Sequence, residues 1–489
     1  MAHSASYRCV YVDLSAFHTL YKNQKVGRKA YAPALLLRVI FYAYYKGITS
    51  SRRIAESCTT DLKFMALSTG KRPHFTTIAD FVSGHPEAIN EVFHKVLMIC
   101  CQSGLVGKEH FAIDGCKLPS DASKQWSGTH KDLQKKSKKL RQSAQKIIDN
   151  HLINDNTKNS NNGDQDRRRQ TVETLLKNAD KIDAFLQEST PRKSTGKSNR
   201  EIQSNITDND SAKMTTSKGT LQGYNCQTVS DEKRQVIIAT VCFGVGPDQT
   251  LLKPMIKKIK ENLGKDALNH ETLLTADTGY SSEINMEYLY QEKINAVIPD
   301  TQFRQRDPLF KDSETVQKHK AHRQKTRKDK RKGKLGYSSD KFTLNREAKC
   351  CVCPNGHEMM YHGDHFIINN KRYLRFKSYL KNCRACPLQK DCMKNPLKEH
   401  GRQVSFAVES ESNTNYLDLM KAKIDSEQGK QQYSKRMWTI EPVFANITSN
   451  KGINKLSLRS KAKVTCQWTL CCIMHNIEKL WRYRNLAQI

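Results

Sequence analysis

The chain has 489 residues, and at roughly 150 residues per domain it holds about two to four domains with a sizeable core. Its 82 Lys and Arg against 49 Asp and Glu give a formal charge of +33. That excess excludes an ordinary small-molecule enzyme and points to a polyanion, nucleic acid first and a membrane surface second. No apolar run reaches bilayer length, and "MAHSASYRCVYVD" has no signal-peptide core. The 16 cysteines are therefore expected in a reducing cytoplasm, where metal binding or burial outranks disulfides.

Residues 1–107 read as an all-helical domain. "YAPALLLRVIFYAYYKG" has a broad apolar face and stops at Gly47, "SSRRIAESC" opens on a serine cap, and "FTTIADFVSGH" opens on threonines and stops at Gly84. "EAINEVFHKVLMICCQSG" is a further helix. Short helices joined by basic turns fit a helix-turn-helix bundle, with Arg52 and Arg53 as DNA contacts, or a plain helical bundle. "EHFAIDGCKL" then reads as a short strand with Asp114 at its exit.

Across 129–205 the pattern is a charged helical hairpin. Leu133, Leu140 and Ile147 recur every seventh residue, and "NDNTKNSNNGDQD" separates them from a second helix. "LQGYNCQTVSD" and "RQVIIATVCFG" form a β-hairpin, and "DQTLLKPMIKKIKENLG" is an amphipathic helix. "TLLTADTGYSS" ends a second short strand at Asp277, with Ser281 and Ser282 placed to cap a helix through "EINMEYLYQE"; "INAVIPD" is a last strand. The order β–β–β–α–β–α–β describes a mixed α/β layer. Beyond it come a basic run at 317–334, too charged to pack, a cysteine-rich section at 350–392, and a helical stretch from about 427.

Two aspartates at strand exits repel each other unless a cation lies between them or they serve only as turn formers. In "YSKRMWTIEPVFANIT" a helix would put Tyr433, Met437, Glu441, Phe444 and Thr448 on one stripe. Glu441 would then face the core and share a metal with the aspartates, or pair with Arg436. Pro442 is expected to place Glu441 at a kink or helix start. Cys353, Cys383, Cys386 and Cys392 include one C-x2-C pair and suit a tetrahedral Zn²⁺ site, with Cys351, His357, His362 and His365 competing for the fourth place, or buried, unligated thiols. A bidentate arginine at 436 suits a DNA phosphate, and Trp438 either stacks on an unpaired base or packs in the core.

"FAIDGCKL…DASKQWSGT", "KGTLQGYNCQTVSD", "TADTGYSSE" and "Y-x2-R…EPVFANI…NKG" with "HNIEKL" resemble, in this order, DDE transposases of bacterial insertion sequences. The branch is the one with an N-terminal helical domain and a cysteine-containing insertion before the catalytic glutamate. The resemblance implies a ribonuclease-H-like core over 108–300 and 426–489, interrupted by the 129–205 hairpin and by a basic, cysteine-rich insertion over 301–425. It implies Asp114, Asp277 and Glu441 as catalytic ligands of two Mg²⁺ or Mn²⁺ ions, and Tyr433 and Arg436 as the family's Tyr-x2-Arg motif. The substrates implied are double-stranded element ends and target DNA, engaged by a homodimer on paired ends near the nucleoid. Many relatives carry a lysine seven residues after the glutamate; here that position is Thr448, and Lys451 stands in as the expected DNA contact. A plain nuclease with the same triad, or a repurposed DNA-binding protein that no longer cuts, are the alternative readings.

Overall fold

The computed structural model describes residues 12–18, 30–155, 162–194, 200–217, 219–310, 312–314, 317–318, 321, 336–368, 371–393, 401–407 and 415–483. They fall into two compact units, 1–301 with 417–489, and 302–416.

In the larger unit the N-terminal helices are α1 (Pro33–Tyr45), α2 (Ser51–Thr60), α3 (Leu62–Leu67), α4 (Phe75–Gly84) and α5 (Pro86–Gln102). Proline opens α1 and α5, where its missing N–H costs nothing. Two of the expected caps differ. Ser50 stands before α2 without a side-chain capping bond, and α4 begins at His74, whose ring accepts from the Thr76 amide. Asp61 caps α3 by accepting from the Lys63 and Phe64 amides. Gly47, at φ +74, closes α1 where the Lys451 carbonyl oxygen lies 2.2 Å from the position of a Cβ, so only glycine fits.

The sheet forms around β1 (His110–Pro119). Its other strands are β2 (Ala212–Thr216), β3 (Gly219–Asp231), β4 (Ile237–Phe243), β5 (Leu273–Ala276) and β6 (Ala296–Val297). β1 pairs antiparallel with β3, which pairs with both β2 and β4; on its other side β1 runs parallel to β5, and β5 parallel to β6. This mixed sheet is compatible with a ribonuclease-H-like core. The expected end of β1 at Asp114 is corrected: the strand continues to Pro119, because β3 is long enough to pair with it from Phe111↔Asp231 to Pro119↔Gly223. What ends at Asp114 is the parallel register with β5, whose last pair is Ile113↔Ala276. β2 is an edge strand that the sequence reading did not contain.

Between β1 and β2 lie α6 (His130–Asp155) and α7 (Asn162–Glu188). Leu133, Ser137 and Ala144 are buried along α6, facing Ala179 and Ile182 of α7, and Arg141 bridges Asp180 and Asp183 at 2.7 Å each. The seam is thus the expected heptad row, filled partly by small residues.

Helix α8 (Leu252–Leu263) packs on β4, where Asn262 Nδ2 donates to the Ile238 carbonyl. Next come α9 (Glu283–Gln291), capped by Ser282 as expected, and α10 (Tyr416–Asp425). The chain ends in α11 (Glu427–Phe444), a π-helical segment at Ala445–Asn450, and α12 (Lys461–Tyr483). α11 packs on β1, β3 and β5. α12 lies between β4 and the N-terminal helices α5, α4 and α1, its Asn476 bonding both the N–H and the C=O of Ile237. One continuous core therefore joins the N-terminal helices to the sheet.

The smaller unit is a five-stranded antiparallel sheet. In sequence its strands are β7 (Thr343–Asn345), β8 (Cys350–Val352), β9 (Glu358–Ile368), β10 (Lys371–Lys377) and β11 (Gln403–Ala407), in spatial order β11-β10-β9-β8-β7. Phe342, Cys351, Met359, Leu374, Phe376 and Val404 form its core. The sequence reading gave this stretch only as cysteine-rich; the alternation in "KRYLRFK" was its strand signal. Most of the basic run 317–334 lies outside the described residues.

Candidate active site

The matched register of β1 and β5 makes Asp114 and Asp277 the next residues on neighbouring parallel strands. Asp114 Oδ1 accepts from the Gly115 amide at 2.8 Å, and Asp277 Oδ1 accepts from the Thr278 amide at 2.6 Å, starting a short 3-10 turn. Each carboxylate therefore keeps an oxygen outside these local bonds.

Helix α11 brings the third acid. Ser426 caps it by accepting from the Gly429 amide, and the helix runs unbroken through Pro442, correcting the kink or start expected there. Proline has no N–H for the carbonyl four residues back, that of Trp438, and Gln235 Nε2 donates to it instead at 2.8 Å. The buried face is Arg436, Thr439, Ile440, Val443, Phe444 and Ile447. The expected stripe through Met437 and Glu441 is turned toward solvent: Met437 is 68% exposed, Trp438 63%, and the Glu441 side chain 56%. Rotation about the helix axis is set by which side chains find partners on the sheet, and Arg436 finds one.

Arg436, buried, donates through Nη2 to Asp114 Oδ2 in a close ion pair, and its Nη1 lies 3.8 Å from Glu441 Oε1. The carboxylates are thus gathered around a guanidinium. Burial pushes the Asp114 carboxyl up to about 6; Arg436 and the Gly115 amide pull it down, while Asp277 and Glu441 push it further up. Burial works against the charge on Arg436, yet Asp114, Tyr433, Asp277 and Glu441 hold its pKa above the usual value. Tyr433 is half-buried one turn before Arg436. Three carboxylates are the hard oxygen donors that Mg²⁺ takes. As arranged here they surround Arg436, and among the described residues no group of three or more His, Cys, Asp or Glu is drawn close enough to hold a metal ion.

A polar network that sequence reasoning missed supports β1 from the opposite face. A Cβ on Gly115 would lie 2.0 Å from Gln227 Nε2 and 2.4 Å from Asn225 Oδ1, so glycine lets the strand rest on these two side chains. Both donate to Asp248 Oδ1, Asn225 at 2.6 Å and Gln227 at 3.1 Å, and the Tyr280 hydroxyl donates to Gln227 Oε1. The signal was present in "GYNCQ", where polar residues interrupt an apolar strand.

The other expected contacts divide. Arg52 and Arg53 are exposed in the first turn of α2, with Arg52 over the Phe75 ring at 5.0 Å. Lys451 is turned inward: its ammonium bonds Glu478 at 2.6 Å and Asn446 at 2.9 Å, and both side chains of the ion pair are 7% exposed. It fastens the π-helical segment to α12 instead of reaching solvent.

In the smaller unit Cys353, Cys383, Cys386 and Cys392 line one cavity of about 20 Å³ together with His357. The Arg402 amide donates to Cys383 Sγ at 3.4 Å. Burial pushes the Cys392 thiol up, Arg402 pulls it down, and the other three thiols push it further. Every cysteine among the described residues is unbridged.

Two family models match the chain, a transposase DDE domain over residues 352–481 and the transposase domain DUF772 over residues 8–84. They support the resemblance to DDE transposases of insertion sequences and a transposase function in general, and at the family level they imply a metal-dependent enzyme acting on DNA. No curated protein and no solved structure matches. No helix among the described residues is long and apolar enough to cross a membrane.

Proposed function

We propose that the chain binds the ends of an insertion sequence as a homodimer, cuts phosphodiester bonds there, and joins the freed 3′-hydroxyls to target DNA in the cytoplasm. The observation that carries this reading is the in-register pair Asp114 and Asp277, with Glu441 directed at the same guanidinium from a helix far along the chain. Asp114, Asp277 and Glu441 would hold two Mg²⁺ or Mn²⁺ ions. Bound there, such ions supply charge neutralisation at the phosphoryl group and activation of the attacking oxygen. The protein's own part is positioning. Gly115 and Gln227 fix β1, Arg436 holds the carboxylates together from beneath, and Trp438 presents an exposed ring beside Glu441. In the smaller unit, Cys353, Cys383, Cys386 and Cys392 would close around one structural Zn²⁺.

The test uses DNA carrying the inverted repeats that flank the gene. Asp114→Asn, Asp277→Asn and Glu441→Gln should each abolish Mg²⁺- or Mn²⁺-dependent cutting while leaving gel-shift affinity for the ends within a few-fold. A wild-type protein that binds these ends and never cuts them would refute the reading; cutting without joining would reduce it to a nuclease.

A further inference from the structure

The small sheet has one face committed to its core and one that is not. Along β10, Leu374 and Phe376 point into the core, so Tyr373, Arg375 and Lys377 point to the other side. On that side the register sets Arg375 against Gly363 of β9 and Ser405 of β11, and Tyr373 against Phe366. Arg375 is held in place: its guanidinium carbon sits 3.8 Å from the centre of the Phe366 ring, and its Nε donates to Ser405 Oγ at 3.4 Å. His362 stacks on the same ring at 5.7 Å, and His365 lies 4.3 Å from it.

Around Arg375 the charges on this face are cationic; Glu358 of β9, which also lies on this side, accepts from the Cys350 thiol at 3.0 Å instead of pairing with Arg375 or Lys377. Among the described residues neither Arg375 nor Lys377 makes an ion pair, and neither terminal nitrogen of Arg375 has a hydrogen-bond partner. Surface cations elsewhere on the molecule, such as Lys260 with Glu292 and Arg459 with Asp121, are paired with carboxylates. Burial, and then the neighbouring Lys377 and Arg375, also hold His362 below its usual range. Like charges gathered on one surface cost stability unless a partner neutralises them, and a guanidinium fixed by stacking has little freedom left to lose on binding.

We propose that this face, centred on Arg375 and Lys377, docks on the sugar–phosphate backbone of double-stranded DNA. The identification of the polyanion rests on the proposed function; the surface itself does not. Backbone contact is favoured over base stacking because Arg375 and His362 already occupy the Phe366 ring, leaving a charged fork and an ammonium as the groups on offer. Its contacts would be sequence-independent, adding affinity for duplex of any sequence.

The experiment uses the full chain and a random-sequence duplex, comparing wild type with the double variant Arg375→Glu, Lys377→Glu. The control is Lys341→Glu, Lys390→Glu, which makes the same change in net charge at exposed residues of the same unit outside this face. Two lost phosphate contacts should lower the slope of log affinity against log salt by about 1.8, which is roughly sixtyfold in affinity at about 0.1 M salt. The melting temperature of the double variant should stay within a few degrees of wild type, since both side chains lie outside the core and the lost stacking of Arg375 on Phe366 is offset by relief of like charge. An unchanged slope overturns the proposal, as does an equal loss in the control. A loss confined to single-stranded DNA overturns the duplex assignment. Wild type that cuts its ends while the double variant binds duplex normally removes this surface alone; wild type that binds no duplex removes the proposed function with it.

Discussion

Arg436→Gln tests the reasoning at the candidate active site most directly, because it removes the cation without removing a carboxylate. In the wild type the side chains of Arg436 and Asp114 are 8% and 19% exposed, with Asp277 and Glu441 adding to the negative field. Removing one partner of a buried ion pair costs about 3–5 kcal/mol. Asp114, already pushed up to about 6, can take a proton instead of remaining charged, which sets the loss near the lower end, about 3 kcal/mol. For a unit of this size, 1 kcal/mol shifts Tm by roughly 1–2 °C, so the metal-free variant should melt about 3–6 °C lower near neutral pH. The sign of the pH dependence follows from the same value. Below about 6 the wild-type Asp114 is itself protonated and the pair is gone, so the gap between variant and wild type should close as pH falls through 6. Mn²⁺ should raise the Tm of the variant more than that of the wild type, because in the wild type the guanidinium competes for the same carboxylates. Differential scanning calorimetry in chelator and then in Mn²⁺ reads all three effects. Equal melting of the two metal-free proteins, or equal gains with Mn²⁺, would refute the account of Arg436 as the resident cation.

Three further outcomes are expected. Trp438→Ala should leave Tm unchanged, since the ring is 63% exposed, and should impair end processing if the ring stacks on an unpaired base, worth roughly 1–3 kcal/mol; a melting point several degrees lower would make Trp438 structural. Protein made without added metal should carry about one equivalent of zinc, and Cys383→Ser with Cys386→Ser should lose it; less than a tenth of an equivalent in folded wild type would return Cys353, Cys383, Cys386 and Cys392 to plain buried thiols. His475, held neutral at a pKa of about 3 by burial and by Lys479, is charged in the unfolded chain below its ordinary value and neutral in the folded one, so stability is lost as pH falls from about 6.5 toward 3. About two pH units below the ordinary histidine value, the wild type should have lost about 2.7 kcal/mol that His475→Gln does not lose, measured by urea unfolding; identical acid slopes would remove His475 from the balance.

How much of this was legible in the sequence depends on which physical signal carried each feature. The α6–α7 hairpin, α8, β5 and α9 were legible because their apolar spacing, their serine cap and their glycines are local signals. Edge strand β2 and most of the second sheet were not: only "KRYLRFK" carries a local alternation there. "AKMTT" and "EMMYHGDHFII" are short or mixed, and their strand geometry comes from register with neighbours, which no local pattern contains. The end of β1 failed for the same reason: nothing within "FAIDGCKLP" reveals that β3 is long enough to keep pairing past Asp114.

At the site, residue types were legible and their directions were not. Periodicity identified α11 as a helix but cannot fix its rotation. The row chosen by apolar spacing put Glu441 inward with Met437. The row the fold selects buries Ile440, Val443, Phe444 and Ile447 and carries Arg436 inward with them, where Asp114 on β1 meets its charge. The same logic inverts Lys451. Its place near the glutamate suggested a DNA contact, yet Glu478, Asn446 and the ring of Tyr45 at 5.5 Å form a seat that long-range folding builds and sequence distance hides. Arg436 and Trp438 are two residues apart and lie on opposite sides of this selection, one buried against the carboxylates and one exposed. The rotation of α11, fixed by its apolar face and completed by the Arg436–Asp114 pair, therefore decides which groups hold the site together and which face solvent.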